Sequence, residues 1–210
     1  MPAAERGEAD LMRYAADVDH HYTTTGIDNR KLGFWVLIGS ESLFFGSLIA
    51  TYMVYRGQST VGPFPHGPDG LLDIPLTSVS TFVLLMSSLA MVLALHAVQV
   101  NNRRGAMLWL FATAFLGATF LGFQAYEFTH FWHEGLTLDR NLFGASFFIL
   151  TGFHGAHVAV GVVWLLVLMT EAWRHRLPAQ RALSVEIAGL YWHFVDVVWI
   201  VIFTLIYLIE

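Results

Sequence analysis

Five long apolar segments alternate with short polar ones along the chain. The apolar segments are Leu32–Tyr55, Ile74–Val100, Ala106–Phe128, Leu142–Thr170 and Glu186–Ile209. Each is long enough to form an α-helix that crosses the hydrocarbon core of a bilayer, which takes about 20 apolar residues. The pattern predicts an all-α integral membrane protein, with a polar tail over residues 1–31 and a five-helix transmembrane domain over residues 32–210.

The composition agrees with this prediction and excludes several kinds of site. Of all residues, 56% are hydrophobic and 13% are charged, whereas a soluble domain carries about a quarter charged residues. The chain has no cysteine, which excludes disulfides, thiolate metal sites and thiol nucleophiles. The polar tail does not resemble a secretory signal peptide, so we expect the first span to direct insertion. The net charge of −5 is too small and dispersed to predict nucleic-acid binding.

The positive charges predict the orientation of the spans. Four lysines and arginines precede the first span, two lie between spans two and three, and three lie between spans four and five. The connections on the opposite side hold only Arg56 and Arg140. Because positively charged segments stay in the cytoplasm, we expect the N-terminus inside and, after an odd number of spans, the C-terminus outside.

Two glutamates lie in the first and third apolar segments. Glu41 is near the middle of the first span, where a carboxyl group must face protein or water, or be protonated. A functional position beside a cleft is the favoured interpretation, and a purely structural role is the alternative. Glu127 lies near the outer end of the third span, where a hydrogen-bonded cap and a functional role fit the sequence equally well.

The fourth span contains two histidines in the sequence GFHGAHVAVG. His154 and His157 are three residues apart, which predicts that they share one face of the helix. Such a pair could bind a metal ion or a haem, but a transition-metal site needs three or four ligands. Only Glu41 and His193 are available to join it. Hydrogen bonding to other helices or to a lipid headgroup is therefore the favoured interpretation.

The fifth span carries a polar stripe on an apolar helix. Glu186, His193 and Asp196 are spaced seven and three residues apart, which places them within about 80° of arc at 100° per residue. No hydroxyl or thiol nucleophile is paired with the histidine and the aspartate in sequence, so hydrolytic chemistry is not predicted. Together with Trp192 and Trp199, the stripe predicts a fixed contact with neighbouring helices or subunits.

Four short motifs resemble those of subunit III of the haem–copper terminal oxidases, the group of the cytochrome c and quinol oxidases. They are SESLFFG at 40–46, GFQAYEF at 122–128, TGFHGAHV at 151–158 and YWHFVDVVW at 191–199. They occur in the order found in the family, on spans one, three, four and five. The likeness covers the chain from about residue 30 to the end, and the last motif is the most specific.

The resemblance implies a subunit that itself carries no haem and no copper. It implies a helical bundle with a V-shaped, lipid-filled cleft, which binds structural phospholipid and packs directly against the catalytic subunit I. There it would stabilise subunit I, support proton uptake and keep a route for oxygen in a bacterial plasma membrane. Haem and copper are expected in the partner subunits. Further expected partners are subunit II, a small subunit IV, membrane lipids and a respiratory supercomplex.

The resemblance also implies roles for particular residues. Glu41 and His157 match residues near a phospholipid headgroup in the family, with His154 beside them and His21 close to the same headgroup. The residues expected to hold helices or subunits together are Glu127, Glu186, Trp192, His193, Asp196 and Trp199. No residue of this chain is expected to be catalytic or to bind a metal.

This chain departs from the mitochondrial members in two ways. Those members have seven spans, and this chain matches their last five, as many bacterial members do. Glu171 stands where they have a basic residue at the inner end of the fourth span, which weakens the expected contact with an anionic headgroup. Quinol oxidases commonly lack carboxylates at the positions of Glu41 and Glu186, so their presence favours the cytochrome c oxidase branch.

Three other functions stay open from the sequence alone. The chain could belong to a quinol oxidase, or to the accessory proteins of nitric oxide reduction that share the five-span pattern. It could also be a haem- or metal-binding membrane protein that acts alone. Co-purification with oxidase or reductase subunits would separate the first two, and an optical spectrum with metal analysis would decide the third.

Overall fold

The computed structural model describes residues 26, 28–59, 62–63 and 72–209. The predicted lipid contact of His21 lies outside these residues. The described part of the chain contains five long helices and no β-strand. All five are long and apolar enough to cross a membrane, which confirms the predicted all-α fold and number of spans. The predicted lipid-filled cleft stays a prediction.

The helices follow the predicted apolar segments closely. They are α1 (Asn29–Tyr55), α2 (Ile74–Gln99), α3 (Arg103–His133), α4 (Leu142–Trp173) and α5 (Ala182–Phe203). A 3-10 turn at Ala179–Arg181 precedes α5, and a π-helical turn at Thr204–Leu208 follows it.

The third helix extends beyond its apolar segment at both ends. It begins at Arg103 because the side chain of Asn102 caps it, accepting a hydrogen bond from the backbone N–H of Gly105 at 3.0 Å. It continues past the last apolar residue of the predicted span, Phe128, to His133. Hydropathy marks only the part of a helix that lies in hydrocarbon, so polar turns at the bilayer surface escape such a prediction.

The chain divides into two compact units, residues 1–43 and residues 44–210. In the first unit, Arg30 in the first turn of α1 forms an ion pair with Asp28, just before the helix, at 3.1 Å. The second unit contains the end of α1 and the four other helices. The predicted division into a tail and a membrane domain near residue 31 stays a prediction.

Within the second unit, four helices form a ring of antiparallel neighbours. Helix α2 packs against α3 and α5, and α4 packs against the same two helices. Thr77, near the start of α2, is bonded to Glu127, near the end of α3. Arg103, at the start of α3, reaches Ala172, near the end of α4. Short connections between successive helices require this antiparallel arrangement.

Arginine side chains tie two helix ends to neighbouring elements. Arg103 donates its Nε–H to the carbonyl of Ala172 at 2.8 Å and a second N–H to the carbonyl of Trp173. The last carbonyls of a helix lack their regular intrahelical donor, so a side-chain donor stabilises them. At the opposite end of the bundle, Arg56 donates to the carbonyl of Ile209, beyond α5.

Local hydrogen bonds fix the connection between α3 and α4. Asn141 accepts from the backbone N–H of Gly144 at 2.7 Å and donates to the carbonyl of Pro63, in the α1–α2 connection, at 3.1 Å. The two connections therefore lie at the same end of the bundle, the predicted outer end.

The Thr137 hydroxyl donates to Asp139 at 2.6 Å and lowers the pKa of that carboxyl. The ionised Asp139 carboxylate therefore contributes to stability at pH values above the ordinary pKa of aspartate, and this contribution is lost as the pH falls through the lowered pKa.

The described helices expose many large apolar side chains. Phe115 is 60% exposed, Val163 61% and Val197 57%. Contiguous apolar surface of this kind is unusual in a soluble protein, whereas lipid tails would cover it in a bilayer. The predicted orientation, with the N-terminus inside, stays a prediction.

Candidate functional site

Hydroxyl groups of α2 accept hydrogen bonds from the indole groups of α5. Trp192 donates its Nε1–H to Ser87 Oγ at 2.9 Å, and Trp199 donates to Thr81 Oγ1 at 2.9 Å. Each hydroxyl gives its own proton to a carbonyl of α2, so both indoles find partners without leaving a donor unpaired. We call this row of contacts the α2–α5 seam; it comprises Thr81, Ser87, Ser88, Trp192, His193, Asp196 and Trp199.

The seam contains a chain of three polar side chains. Ser88 Oγ donates to Asp196 Oδ2 at 2.6 Å and lies 3.2 Å from His193 Nδ1. A proton on Nδ1 completes a series of donors from His193 through Ser88 to Asp196. Asp196 is 5% exposed, and its second oxygen has no hydrogen-bond partner among the described residues. The histidine and aspartate of the predicted stripe thus join α5 to α2 through one serine.

The ring of Trp192 lies between two glycines of the neighbouring helices. A Cβ atom at Gly117 of α3 would lie 2.5 Å from Cη2 of the indole, and one at Gly161 of α4 would lie 2.7 Å from Cζ3. Real Cβ atoms do not approach other atoms so closely. Trp192 is 2% exposed and contacts α2, α3 and α4, so this single side chain joins the four helices of the ring.

His154 lies in the protein core. Its ring stacks on Trp199 with the ring centroids 4.8 Å apart, and the edge of Phe120 meets it at 5.8 Å. The side chain is 0% exposed, and neither ring nitrogen has a hydrogen-bond partner within the described structure. A lipid headgroup has no access to a side chain enclosed in this way, so we leave His154 out of the proposed lipid contact.

His157 is partly exposed and contacts the end of α1 that belongs to the second unit. Its ring meets Phe45 edge-on at 4.9 Å, and its Nδ1 lies 2.7 Å from the carbonyl of Phe153. Its backbone carbonyl accepts a hydrogen bond from the Tyr191 hydroxyl at 3.0 Å. His154 contacts α3 and α5 instead, so the two histidines, although three residues apart, do not form one site.

Glu127 is buried at the interface between α2 and α3. It is 6% exposed, and its Oε1 lies 2.9 Å from the hydroxyl oxygen of Thr77. Tyr207, in the π-helical turn, lies beside both residues, but its buried hydroxyl makes no hydrogen bond of ordinary length in the described part of the chain. Glu127 therefore joins α3 to α2 instead of capping its own helix.

A second polar contact joins α3 to α4. Gln124, 6% exposed, donates its amide N–H to the carbonyl of Thr151 at 2.7 Å. A Cβ atom at Gly155 would lie 3.0 Å from the amide carbon of Gln124, so this glycine makes room for the amide. Two glycines of the GFHGAHVAVG sequence thus make room for side chains of other helices, Gly155 for Gln124 of α3 and Gly161 for Trp192 of α5.

The remaining predicted site residues lie where the structure gives no test of their roles. Glu41 belongs to the first unit and His157 to the second, so their common lipid contact stays a prediction. Glu186 lies partly exposed near the start of α5, and its predicted role in helix packing also stays a prediction.

The surroundings of His154 do not fit a haem. An axial histidine needs open space beside its coordinating nitrogen for a large planar ring, whereas the ring of His154 is in contact with Trp199 and Phe120. Among the described residues, no three histidine, aspartate or glutamate side chains are placed together to hold a metal ion. We therefore assign no reaction step to a metal or haem on this chain.

An open apolar groove of about 710 Å³ runs along the surface between α3 and α4. Aromatic side chains contribute much of its lining: Phe128, Trp132, Phe148 and Phe153. Its size would suit an acyl chain, but it contains no charged group that would select a headgroup.

A model of the family described as cytochrome c oxidase subunit III matches residues 9–210. The chain belongs to the cytochrome c oxidase subunit III family. The resemblance found in the four motifs is thereby confirmed. As a subunit III, the chain is part of a haem–copper oxidase, an oxidoreductase complex that contains other oxidase subunits. The family and the five apolar helices together indicate a multi-pass membrane protein.

The relatives include subunits of oxidases with different electron donors. Cytochrome c oxidase subunit 3 of Bacillus sp. (strain PS3) is 39% identical over 180 residues, covering 86% of this chain and 86% of the relative. Quinol oxidase subunit 3 of Bacillus spizizenii is 38% identical over 177 residues, covering 84% and 85%. Cytochrome bo(3) ubiquinol oxidase subunit 3 of Pseudomonas aeruginosa is 38% identical over 200 residues, covering 95% and 93%. Identity to a subunit III therefore does not decide the donor.

Sequence reasoning identified the polar residues of the subunit III motifs but missed most of their partners. Nothing in the sequence pairs Trp192 with Ser87 or Trp199 with Thr81. The burial of Tyr207 beside Thr77 and Glu127 was also missed, because a tyrosine near the end of an apolar span looks like an interfacial residue. Gly117, a small residue on the polar face of α3 that also holds Gln124, was the available signal that another helix approaches closely there.

Proposed function

We propose that this chain is the non-catalytic subunit III of a proton-pumping haem–copper terminal oxidase in a bacterial plasma membrane. It stabilises subunit I, binds structural phospholipid, and supports proton uptake and oxygen access. Subunits II and IV, membrane lipids and a respiratory supercomplex are the further proposed partners. Haem and copper belong to the partner subunits in this proposal.

The use of the buried polar side chains supports a structural role. Trp192, His193, Asp196 and Trp199 of the most specific motif contact other helices of the same chain. Glu127 is likewise engaged by a hydroxyl of α2. Side chains that hold helices together leave the redox chemistry to another subunit.

The cytochrome c oxidase branch is the proposed one, because carboxylates occupy the positions of Glu41 and Glu186. A quinol oxidase is the second candidate, and the relatives named as quinol oxidase subunits favour it. Oxygen uptake by the purified complex with reduced cytochrome c and with a quinol, measured separately, decides between the two donors.

Purification through a tag on this chain, in a mild detergent, is expected to recover a complete oxidase. Subunits I and II should co-migrate with the tagged chain, and the complex should show haem absorption and consume oxygen. The tagged chain separated from its partners should show no haem spectrum. A chromophore that stays with the isolated chain, or recovery with nitric oxide reductase subunits instead, would contradict the proposal.

The substitution His157→Ala is expected to reduce lipid retention without loss of haem. His157 is partly exposed beside aromatic side chains, where an imidazole can contact both a lipid chain and a headgroup. We expect fewer phospholipids per purified complex by lipid mass spectrometry and a faster loss of oxygen uptake during turnover. Thr119→Val is the control, since Thr119 is partly exposed and its hydroxyl bonds only a carbonyl of its own helix. Loss of haem absorption in His157→Ala would overturn the proposed role.

A further inference from the structure

The helix hydroxyls of this protein follow a common hydrogen-bonding rule. Most serine and threonine hydroxyls of the described helices, Thr81, Ser87, Thr113 and Thr151 among them, give their proton to a backbone carbonyl three or four residues earlier in the chain. Ser87 and Thr81 illustrate the rule, because each donates to α2 and accepts from an indole. A hydroxyl has one proton and two acceptor lone pairs, so this arrangement uses it fully.

Thr77 fits this rule only if Glu127 carries a proton. Its Oγ1 lies 2.9 Å from the carbonyl of Asp73 and 2.9 Å from Oε1 of Glu127. A carbonyl can only accept, and an ionised carboxylate can only accept, but Thr77 has a single proton to give. If that proton goes to the carbonyl of Asp73, as the protons of Thr81 and Ser87 go to carbonyls of α2, Glu127 must be the donor in the second bond.

Ser88 provides the contrast within the same helix. Its hydroxyl donates to Asp196 at 2.6 Å, accepts from His193, and makes no bond to a carbonyl of α2 in the described structure. A hydroxyl that faces an accepting carboxylate thus gives up its backbone bond. Thr77 keeps its backbone bond, so its carboxyl partner differs from Asp196 in its protonation.

The surroundings of Glu127 provide no cation that would stabilise a carboxylate by direct contact. In the described part of the chain no lysine or arginine forms an ion pair with it. The titratable groups around it are Asp73 on α2, His130 one turn along α3, and Tyr207 in the π-helical turn. Asp73 is acidic, and neither His130 nor the Tyr207 hydroxyl donates a hydrogen bond to the carboxyl group in the described structure. An isolated charge in an apolar interior is costly.

A small cavity adjoins the carboxyl group. Its volume is about 10 Å³, and its polar lining consists of Thr77, Ser80, Gln124 and Glu127. A cavity that holds a water needs roughly this volume and two to four polar partners. A water there would lie beside the polar groups of Thr77, Ser80, Gln124 and Glu127.

We propose that Glu127 is a buried proton-binding site, a neutral carboxylic acid that donates its proton to Thr77, which in turn donates to the carbonyl of Asp73. The site joins α2 to α3 without placing a net charge inside the bundle. It rests on the geometry of this chain alone and does not depend on the proposed function.

Infrared spectroscopy of the full-length chain in its purified complex tests this site. Protein labelled with [13C]glutamate should show the C=O stretch of a protonated carboxylic acid at neutral pH, shifted by the label and shifted again in D2O. Lipid esters and aspartates lack the label shift. The band should be absent from Glu127→Gln, and in Thr77→Val it should move to higher frequency because the acid has lost its acceptor.

The matched control is Glu134→Gln, an exposed glutamate just beyond the end of α3, which should leave the acid band unchanged. If Glu127→Gln removes a pair of carboxylate bands instead, Glu127 is ionised and the proposal fails. An acid band that stays in place in Thr77→Val also overturns it, because the proton is then not donated to Thr77. The comparison of Thr77→Val with the unchanged chain remains decisive if Glu127→Gln does not assemble.

Discussion

Replacing Gly161 with alanine should lower the thermal unfolding midpoint of the chain by several degrees. The new Cβ atom would lie 2.7 Å and 2.8 Å from two ring carbons of Trp192. The indole is buried, lies against Gly117 at the neighbouring ring carbons and is bonded to Ser87, so a shift away from the new methyl group would disturb other contacts. Overpacking of this kind costs about 1–3 kcal/mol, whereas the better helix propensity of alanine returns less than about 1 kcal/mol. For a chain of this size, each kcal/mol lowers the midpoint by about 2–4 °C.

Gly152→Ala on the same helix is the matched control, since a Cβ atom there meets nothing within 4 Å. We expect its midpoint to equal or slightly exceed that of the unchanged chain. In a Trp192→Phe background, where the ring is smaller, Gly161→Ala should cost clearly less, and a double-mutant cycle measures the difference. An equal cost in both backgrounds would show that the clash with Trp192 is not the cause.

Ser88→Ala should have the second large effect, a loss of about 2–3 kcal/mol in the free energy of unfolding. Ser88 is the donor to Asp196 Oδ2, and Oδ1 already lacks a partner among the described residues. Hydrogen bonds to charged groups contribute about 1.5–3 kcal/mol, and a buried acceptor left unpaired costs its full desolvation. Denaturation of the solubilised chain, followed by helix signal and by tryptophan fluorescence, measures the loss.

The double substitution Ser88→Ala with Asp196→Leu separates a lost hydrogen bond from lost packing. Removing both partners of a buried bond costs less than removing one, so the double variant should be more stable than Ser88→Ala alone. Ser146→Ala is the control, because the Ser146 hydroxyl bonds only carbonyls of its own helix. A double variant less stable than Ser88→Ala would mean that Asp196 stabilises the bundle by another contact.

The sequence predicted the number of helices and their apolar centres because hydrocarbon length sets both. It located the ends poorly, as the extension of α3 to His133 illustrates. Caps such as Asn102 and Asn141 obey local rules and could have been found. The partner of Arg103 could not, since only the folded chain brings the end of α4 to the start of α3.

The motifs identified the family and the residue types of the site, but not their contacts. His154 and His157 are close in sequence, yet one is enclosed by Trp199 and Phe120 and the other lies against Phe45. Helical periodicity gives an angle on one helix, while the neighbours that a side chain contacts depend on the crossing of several helices. Such crossings follow from tertiary packing, which no single segment encodes.

The self-bonded hydroxyls of α2 have a consequence for biosynthesis. Ribosomes deliver α2 to the membrane well before α5, and during that interval Thr81 and Ser87 already share their protons with carbonyls of their own helix. The hydroxyl protons of Thr81 and Ser87 are therefore hydrogen-bonded within the bilayer before α5 is inserted. When α5 arrives last, its indoles dock on oxygen lone pairs that were spare from the start. Ser88 differs from these two groups, because in the finished bundle its proton goes to Asp196 of α5.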